Sequence, residues 1–556
     1  MRRIVPLVIA AGVIYFLLPP SARVVSVPSS GPVRGVIHAH TLRSDGTGTV
    51  DDVARAAARA GLSFVIVTDH GDGTRAPDPP EYRSGVLYID AVEISTDDGH
   101  VVAVGLPETP YPLGGEARDV VDDIHRLGGW AVAAHPGSPR PNLAWRDWNV
   151  PVDAVEWVNG DSEWRDESAW SLVRALLTYP FRPAESLVSL LDRPDPVISR
   201  WDQLATSRPV VALAAADAHA RVGLTSLGEP YDSRASIPLP SYAAVFSAMS
   251  ITLEGVSLSG DAAGDARTVE NALRAGHVYS TIDGLAVRGQ LEFTGMSGDR
   301  GARMGDRLAA TGPVTLRAST SGPGDATMTL FRDGRAERTV QGTVLEEVVP
   351  ADPAIYRVEV SLAAPGGAPR VPWMISNPIY VGAAPASTGV LPSGRPTPAT
   401  TFSLEQLGAT RIERSGASEA ATTITRALDG RELLFRYALG GKASDHPYAA
   451  AVIALPVPVQ RESQIRFSAR ADRPMRLSVQ VRSPGPGDGD RWRRSIYLDE
   501  TPRDFSVVLT DMRAVASARL DDRLATIDSL LFVVDDEHTR MGNGGRVWLR
   551  NLAIAK

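Results

Sequence analysis

From Gly31 to about Pro209, short β-branched apolar runs alternate with stretches rich in Ala, Leu and Arg. The runs Val33–His38, Ser63–Thr68, Val86–Val92, Val101–Leu106, Trp130–Ala134, Ala154–Val158 and Val210–Ala214 read as strands. Asp51–Ala60 reads as a helix, with Thr49 near its N-cap and Gly61 as its stop. Ala117–Leu127 reads as a second helix, closed by Gly128 and Gly129. Strands alternating with helices predict a mostly parallel sheet, open or closed into a barrel. Trp164–Ser207 reads as a helical insertion, expected to pack rather than to cover a site.

Past about Gly284 the pattern changes to alternation with Gly, Pro and Asp turns, as in PVTLRAST, DATMTLFRDG and IYRVEVSLA. It predicts a small β-sandwich over residues 286–383. The Pro/Ser/Thr/Gly-rich residues 384–400 read as a linker. Residues 401–556 are again strand-rich, with QIRFSARA, MRLSVQVRS, SLLFVVDD and RVWLRNLAIA. They predict a jelly-roll-like β domain.

At the N-terminus, Arg2 and Arg3 precede the apolar run Ile4–Leu18 and then Pro19, Pro20, Ser21 and Ala22. A basic start, an apolar stretch and a small-residue end describe a secretory signal within residues 1–30. The run is short for a spanning helix, which needs ~20 residues. Pro20 stands where a cleavage site prefers a small residue, so a retained membrane anchor stays open beside cleavage. Either way the expected location is exported, periplasmic or extracellular. No later segment is long and apolar enough to cross a bilayer.

Composition narrows the chemistry. A chain of 556 residues is too long for one core and implies roughly two to four domains. The net charge of −8 gives no basic excess, so no nucleic-acid partner is expected. Cys is absent, which excludes disulfides, thiolate nucleophiles, iron–sulfur clusters and Cys-type zinc sites. Any metal must be held by His and carboxylates.

There are 10 His in the chain. His38, His40, His70, His100, His135 and His219 stand at the ends or starts of expected strands in the first region. In His38-Ala39-His40, an extended chain would point both rings to one side. Asp45 follows closely, Asp69-His70 ends the next strand, and Glu93 ends VLYIDAV. His100 opens VVAVGL, His135 ends WAVAA, and Asp217-Ala218-His219 ends VVALAAA. A single His-X-His is more often a surface or packing pair, and Asp69 could simply cap its turn. Six His and three acids at successive strand ends are harder to place as satisfied core groups, because buried polar clusters without a ligand are costly. Imidazole and carboxylate together suit zinc, manganese or iron. So many exceed one tetrahedral site, which takes three protein ligands and water. Two to three divalent ions are expected. His125, His277, His446 and His538 fall outside the pattern.

The segments HAHTLRSDGTG, VIVTDHG, VEIS, GHVVAVG, AAHPG and ADAH, spanning roughly Val33 to Arg221, resemble the polymerase-and-histidinol-phosphatase (PHP) superfamily in order and spacing. The resemblance implies a PHP metallohydrolase domain over residues 31–285, folded as a distorted (βα)7 barrel with up to three metals. It would place the first metal on His38, His40, Glu93 and Asp217, and the second on Glu93, His100 and His135. The third would fall to Asp45, His70 and His219. TVENALRAGHVYSTIDG (Thr268–Gly284) and PWMISNPIYV (Pro372–Val381) are similar to the carbaryl-hydrolase-like branch of that superfamily.

The expected activity is hydrolysis of a small phosphoester by metal-activated hydroxide, with Arg43 and Arg221 as candidate substrate clamps or plain surface residues. Two other readings stand beside it: a metal-dependent ester, amide or carbamate hydrolase, and a non-catalytic metal-stabilised binding protein. Residues 401–556 resemble carbohydrate-binding jelly rolls in general pattern only. Structural support is the expected role there, with carbohydrate contact as the alternative.

Overall fold

The computed structural model describes residues 12, 14–25, 31–223, 236–237, 239–363, 371–382, 398–401, 410–427, 430–442, 446–460, 463–483, 490–515 and 526–555. Much of the run Ile4–Leu18, and of the linker 384–400, lies outside them. Among the described residues no helix is long and apolar enough to cross a membrane. The chain divides into two compact units, one of Met1–Pro107 with Glu116–Thr388, the other of Glu108–Gly115 with Gly389–Lys556.

In the first unit, β1 (Val33–Ile37), β2 (Phe64–Val67) and β3 (Val86–Asp90) run parallel. Between β1 and β2 lies helix α1 (Val50–Arg59). Thr49 and Asp52 exchange hydrogen bonds at its start as a capping box, and Val53, Ala54, Ala56 and Ala57 form its buried face. Then the alternation of strand and helix breaks. Ala91 alone separates β3 from β4 (Val92–Thr96), and a tight hairpin joins β4 to β5 (Gly99–Val104). A parallel crossover needs about a dozen residues or more. With one residue to spare, the chain passes into a second sheet. There β4, β5 and β6 (Trp130–Ala134) are antiparallel, while β6, β7 (Ala154–Asn159) and β8 (Val211–Ala215) are parallel.

The closed, distorted (βα)7 barrel is therefore not what forms. Among the described residues the strands of this region divide between two mixed sheets, one of 5 strands and one of 12, and across all described residues strand outweighs helix, 42% against 18%. The mostly parallel sheet expected from the alternation is corrected with it. β1 is also flanked by an antiparallel neighbour, β9 (Ser250–Leu253), which pairs in turn with β10 (Val278–Thr281). Glu93 does not end a strand, as the apolar run suggested, but lies one residue inside β4.

The two sheets meet at single-residue bridges. Ala39 pairs with Ala218, and His70 with Glu93. The 12-stranded sheet continues past residue 285, since β10 pairs with Met374–Ser376. Its far part faces a four-stranded antiparallel sheet (Leu291–Ser297, Arg300–Arg303, Val314–Thr320 and Val344–Val349) across a core that includes Phe293, Leu316, Leu330, Tyr356 and Trp373.

Of the helical insertion, α2 (Ala169–Thr178) and α3 (Pro183–Val188) border a cavity, and α4 (Asp195–Ser207) buries Val197, Ile198 and Trp201. The first two helices pack as well as border the cavity, since α2 buries Ala175 and Thr178 and α3 buries Ser186 and Val188. Among the described residues the second unit forms two six-stranded sheets around a core that includes Phe435, Phe467, Leu477 and Phe532.

Candidate metal centre

The seam between the two sheets is where the His-rich segments arrive. His38 follows β1 directly, but its backbone is left-handed, with φ of 69°. His135 after β6 (φ 32°) and Asp217 after β8 (φ 45°) share that feature. His38 and His40 still turn their rings to the same carboxylates, Glu93 and Asp217, but through a left-handed His38 rather than the extended backbone expected. Non-glycine residues in this region cost on the order of 1–3 kcal/mol each and persist where the surroundings over-determine them.

Several contacts hold this segment. Ala218 N donates to His38 O (3.2 Å) and His40 N to Ala218 O (3.0 Å). The Tyr242 hydroxyl donates to His40 O (2.7 Å). The Asp69 carboxylate accepts from Thr41 N (2.7 Å), Thr41 Oγ1 (2.6 Å) and Ser44 Oγ (2.7 Å), so Asp69 shapes the loop. Gly46 lets the loop close, because a Cβ there would lie 2.2 Å from His40 O.

Glu93, 1% exposed, is the hub. Its Oε2 lies 3.1 Å from His38 Nε2, 3.2 Å from His40 Nε2 and 3.3 Å from His70 Nδ1. Its Oε1 lies 2.7 Å from His100 Nδ1 and 2.9 Å from His135 Nε2. Asp217 Oδ1 is 3.4 Å from both His38 Nε2 and His40 Nε2, and 3.5 Å from His219 Nδ1. Asp45 Oδ2 is 3.2 Å from His219 Nε2, and its Oδ1 is 3.4 Å from His40 Nδ1 and 3.8 Å from His70 Nε2.

All nine sequence-derived positions thus come together. Four overlapping groups have ligand atoms within 4.8 Å of one another: His40, Asp45, His70 and His219; His38, His135 and Asp217; His38, His40 and Glu93; His70, Glu93 and His100. The overlaps differ from the division the resemblance implied. His40 faces Glu93 and Asp217 through one nitrogen and Asp45 through the other. His70 likewise faces both Glu93 and Asp45.

The electrostatics are strongly coupled. Burial raises the Glu93 carboxyl, but His70, His38 and His100 outweigh it and hold the group well below the ordinary carboxylate range. Burial lowers His40, yet Asp217 and Glu93 bring it up to about 9. His70 falls to about 4, through burial and neighbouring imidazoles against the pull of Glu93 and Asp45.

The donor set fits divalent cations. His40 Nε2 and Asp217 Oδ1 are buried and make no hydrogen bond, although both point into the cluster. Orphaned buried polar atoms are costly, and imidazole nitrogen with carboxylate oxygen is what zinc, manganese or iron takes.

One functional candidate escaped the sequence reading. Glu156, buried in β7, has Oε1 2.6 Å from His38 Nδ1. Its Oε2 accepts from His135 N (2.7 Å) and Asn159 Nδ2 (2.8 Å). A charged residue in the middle of the apolar run AVEWVN was the available signal. The two clamp candidates separate. Arg43 is committed to Asp78, Asp90 and Tyr88. Arg221 lies at the edge of the cluster, with Nη2 3.4 Å from Asp45 Oδ2.

No known family profile matches the chain. An uncharacterized protein of Methanocaldococcus jannaschii is 30% identical over 111 residues, covering 19% of this chain. The chain spans 64% of the length of that curated relative. Among solved structures, a family 11 carbohydrate-binding module of a Clostridium thermocellum cellulosomal cellulase is similar at 20% identity and a TM-score of 0.22, over 26% of this chain and 86% of that one. A family 30 module from a cellulosomal cellulase of the same organism is similar at 8% identity and 0.20, over 29% and 95%. Likenesses at such scores carry no weight for function.

Proposed function

We propose that the protein is a metal-dependent hydrolase acting on phosphoesters, its site motifs akin to those of the PHP superfamily. One observation carries this reading: a buried carboxylate, Glu93, stands within 3.3 Å of five imidazoles, with Asp217 and Asp45 beside them. Six His and three acids exceed the needs of one tetrahedral ion. Bound divalent ions would supply Lewis acidity and a water of lowered pKa.

The chain's own residues do the rest. Glu93, Asp217 and Asp45 provide the negative charge that holds cations. Glu156 fixes the ring of His38, and the Asp69 and Tyr242 contacts fix the loop that carries His40 and Asp45. Arg221, beside Asp45, brings a guanidinium to the edge of the site where an anionic substrate oxygen would lie. In the overall reaction a bond forms from the water oxygen to phosphorus, the bond from phosphorus to the ester oxygen breaks, and a proton ends on the departing alcohol. No side-chain nucleophile is required.

The test is metal-loaded protein against aryl phosphate mono- and diesters, carbamates and carboxylic esters, with Asp45→Asn alongside. Cleavage of an aryl phosphate is expected, with a loss of at least ~10-fold in the variant. Turnover of a carbamate or carboxylic ester with phosphates untouched would sink the phosphoester reading.

Export belongs to the same proposal. Its support is the basic start and apolar run Ile4–Leu18. Tyr15 and Phe16, within that run, are exposed. Residues 1–30 fused to a reporter active only outside the cytoplasm should give signal, and silence would return the protein to the cytosol.

A further inference from the structure

Beside the cluster lies a cavity of about 290 Å³, lined in part by Asp217, His219 and Arg221. Its walls also include the apolar Trp164, Leu172, Leu176, Leu190, Leu191 and Met249, alongside Asp161, Glu163, Tyr179 and Ser186. Leu190, Leu191 and Met249 are buried, whereas Leu176 is 61% exposed. The nearby polar groups are taken up among themselves. Tyr179 OH accepts from Ser241 N (2.8 Å), Ser186 Oγ meets Thr178 Oγ1 (2.8 Å), and Asp161 accepts from Trp164 Nε1 (3.2 Å). Burial also raises Glu163, another wall residue, to about 7.

Protein interiors are close-packed and keep few voids larger than a water molecule. An apolar cavity of ~150 Å³ takes a benzene molecule, so about twice that volume accommodates a medium alkyl chain. Its lining joins Asp217, His219 and the Arg221 guanidinium to a larger set of aliphatic side chains. The helix α2 shows the same character, with Leu172 and Leu176 on the cavity and Trp170, Val173 and Leu177 exposed. An ordinary surface helix would set polar residues on that outer face.

We propose that this cavity is the subsite for the alcohol part of the substrate, and that the substrate is an amphiphile, an anionic ester head on an alkyl chain. The inference rests on the hydrolase reading for the head group but makes its own claim about the tail. The ester oxygens meet Arg221 and the cluster, and the chain lies along Leu172, Leu190, Leu191 and Met249.

The probes are methyl-, butyl- and octylphosphonate, which bind without being hydrolysed, titrated calorimetrically into manganese-loaded full-length protein. Octylphosphonate should bind at least ten-fold more tightly than methylphosphonate. Leu190→Trp, which fills the cavity, should narrow that ratio to within three-fold. Because Leu190 is buried and its replacement risks the fold, Leu176→Asp at the exposed wall serves as the second variant, and it too should narrow the ratio. Equal affinity for the methyl and octyl compounds in the wild type, or binding of neither, would overturn the proposal. So would an unchanged ratio in both variants. Hydrolysis of phenyl phosphate is read separately. A chain-length preference without any hydrolysis would leave the subsite standing and remove the hydrolase reading. Hydrolysis without a chain-length preference would remove the subsite alone.

Discussion

Glu156 Oε1 lies 2.6 Å from His38 Nδ1, deep beneath the cluster, where it settles which nitrogen of that ring faces Glu93. A carboxylate behind a ligating imidazole fixes the tautomer and raises the basicity of the other nitrogen. Glu156→Gln keeps an acceptor for His38 but removes the charge, and it leaves an amide opposite His135 N. Metal affinity, measured by competition with a chelator, should fall about 10- to 100-fold. Wild-type affinity in a folded variant would show that Glu156 does not position the ligand.

Glu93 stands where the groups overlap, touching five imidazoles through two oxygens. Freshly purified protein should carry two to three equivalents of zinc, manganese or iron. Glu93→Ala should lose at least one equivalent and be the most damaging single change in the cluster. Elemental analysis decides it. Full metal content in Glu93→Ala would remove Glu93 from its central role.

Arg357 forms a buried ion cluster in the first unit. It donates to Asp202 through Nε (2.7 Å) and Nη2 (2.8 Å), and to Glu359 through Nη1 (2.6 Å). Its guanidinium also lies 4.3 Å from the Phe331 ring centroid. Arg357→Ala leaves buried Asp202 without its guanidinium and Glu359 with Arg193, and breaking a buried pair costs about 3–5 kcal/mol. Denaturant unfolding of the variant should show a loss of that order. A loss under about 1 kcal/mol would mean that water reaches the carboxylates and replaces the guanidinium.

Glu254, next to β9 and remote from the cluster, supplies a pH test. Burial, with Glu292 and Asp306 nearby and only Arg303 opposing, raises its carboxyl from 4.5 to about 7. A carboxyl raised on folding binds its proton more tightly in the native state. Its contribution is therefore fully present below pH 4.5, declines as pH rises toward 7, and is gone above. Glu254→Gln should stabilise the protein at pH 8, by up to about 2 kcal/mol after discounting for partial exposure. That gain should vanish below pH 4.5. Thermal unfolding at the two pH values measures it, and a gain equal at both would show that the cause is not ionisation.

The sequence by itself determined what depends on near neighbours. Thr49 and Asp52 are three residues apart, so their capping box is written locally and places α1 correctly. Trp130–Ala134 was legible as a strand to the residue because a run apolar at every position reads as buried on both faces. Of the nine residues that gather at the centre, the six His, Glu93 and Asp217 were also legible, because each stands at or near a strand end and is of a type costly to bury alone, whereas Asp45, in the turn after β1, was singled out by the resemblance. Tertiary structure decided the rest. Whether neighbouring strands run parallel depends on the length of the link. Ala91 as the whole connection between β3 and β4 turned an expected barrel into two sheets joined at Ala39–Ala218 and His70–Glu93. Left-handed backbone at His38, which no periodicity encodes, lies in the segment that brings the first two imidazoles to Glu93 and Asp217. Arg43 and Arg221 looked alike in sequence. Asp78 and Asp90 drew one away while Asp45 kept the other at the site, because ion pairs form by distance in space, not along the chain.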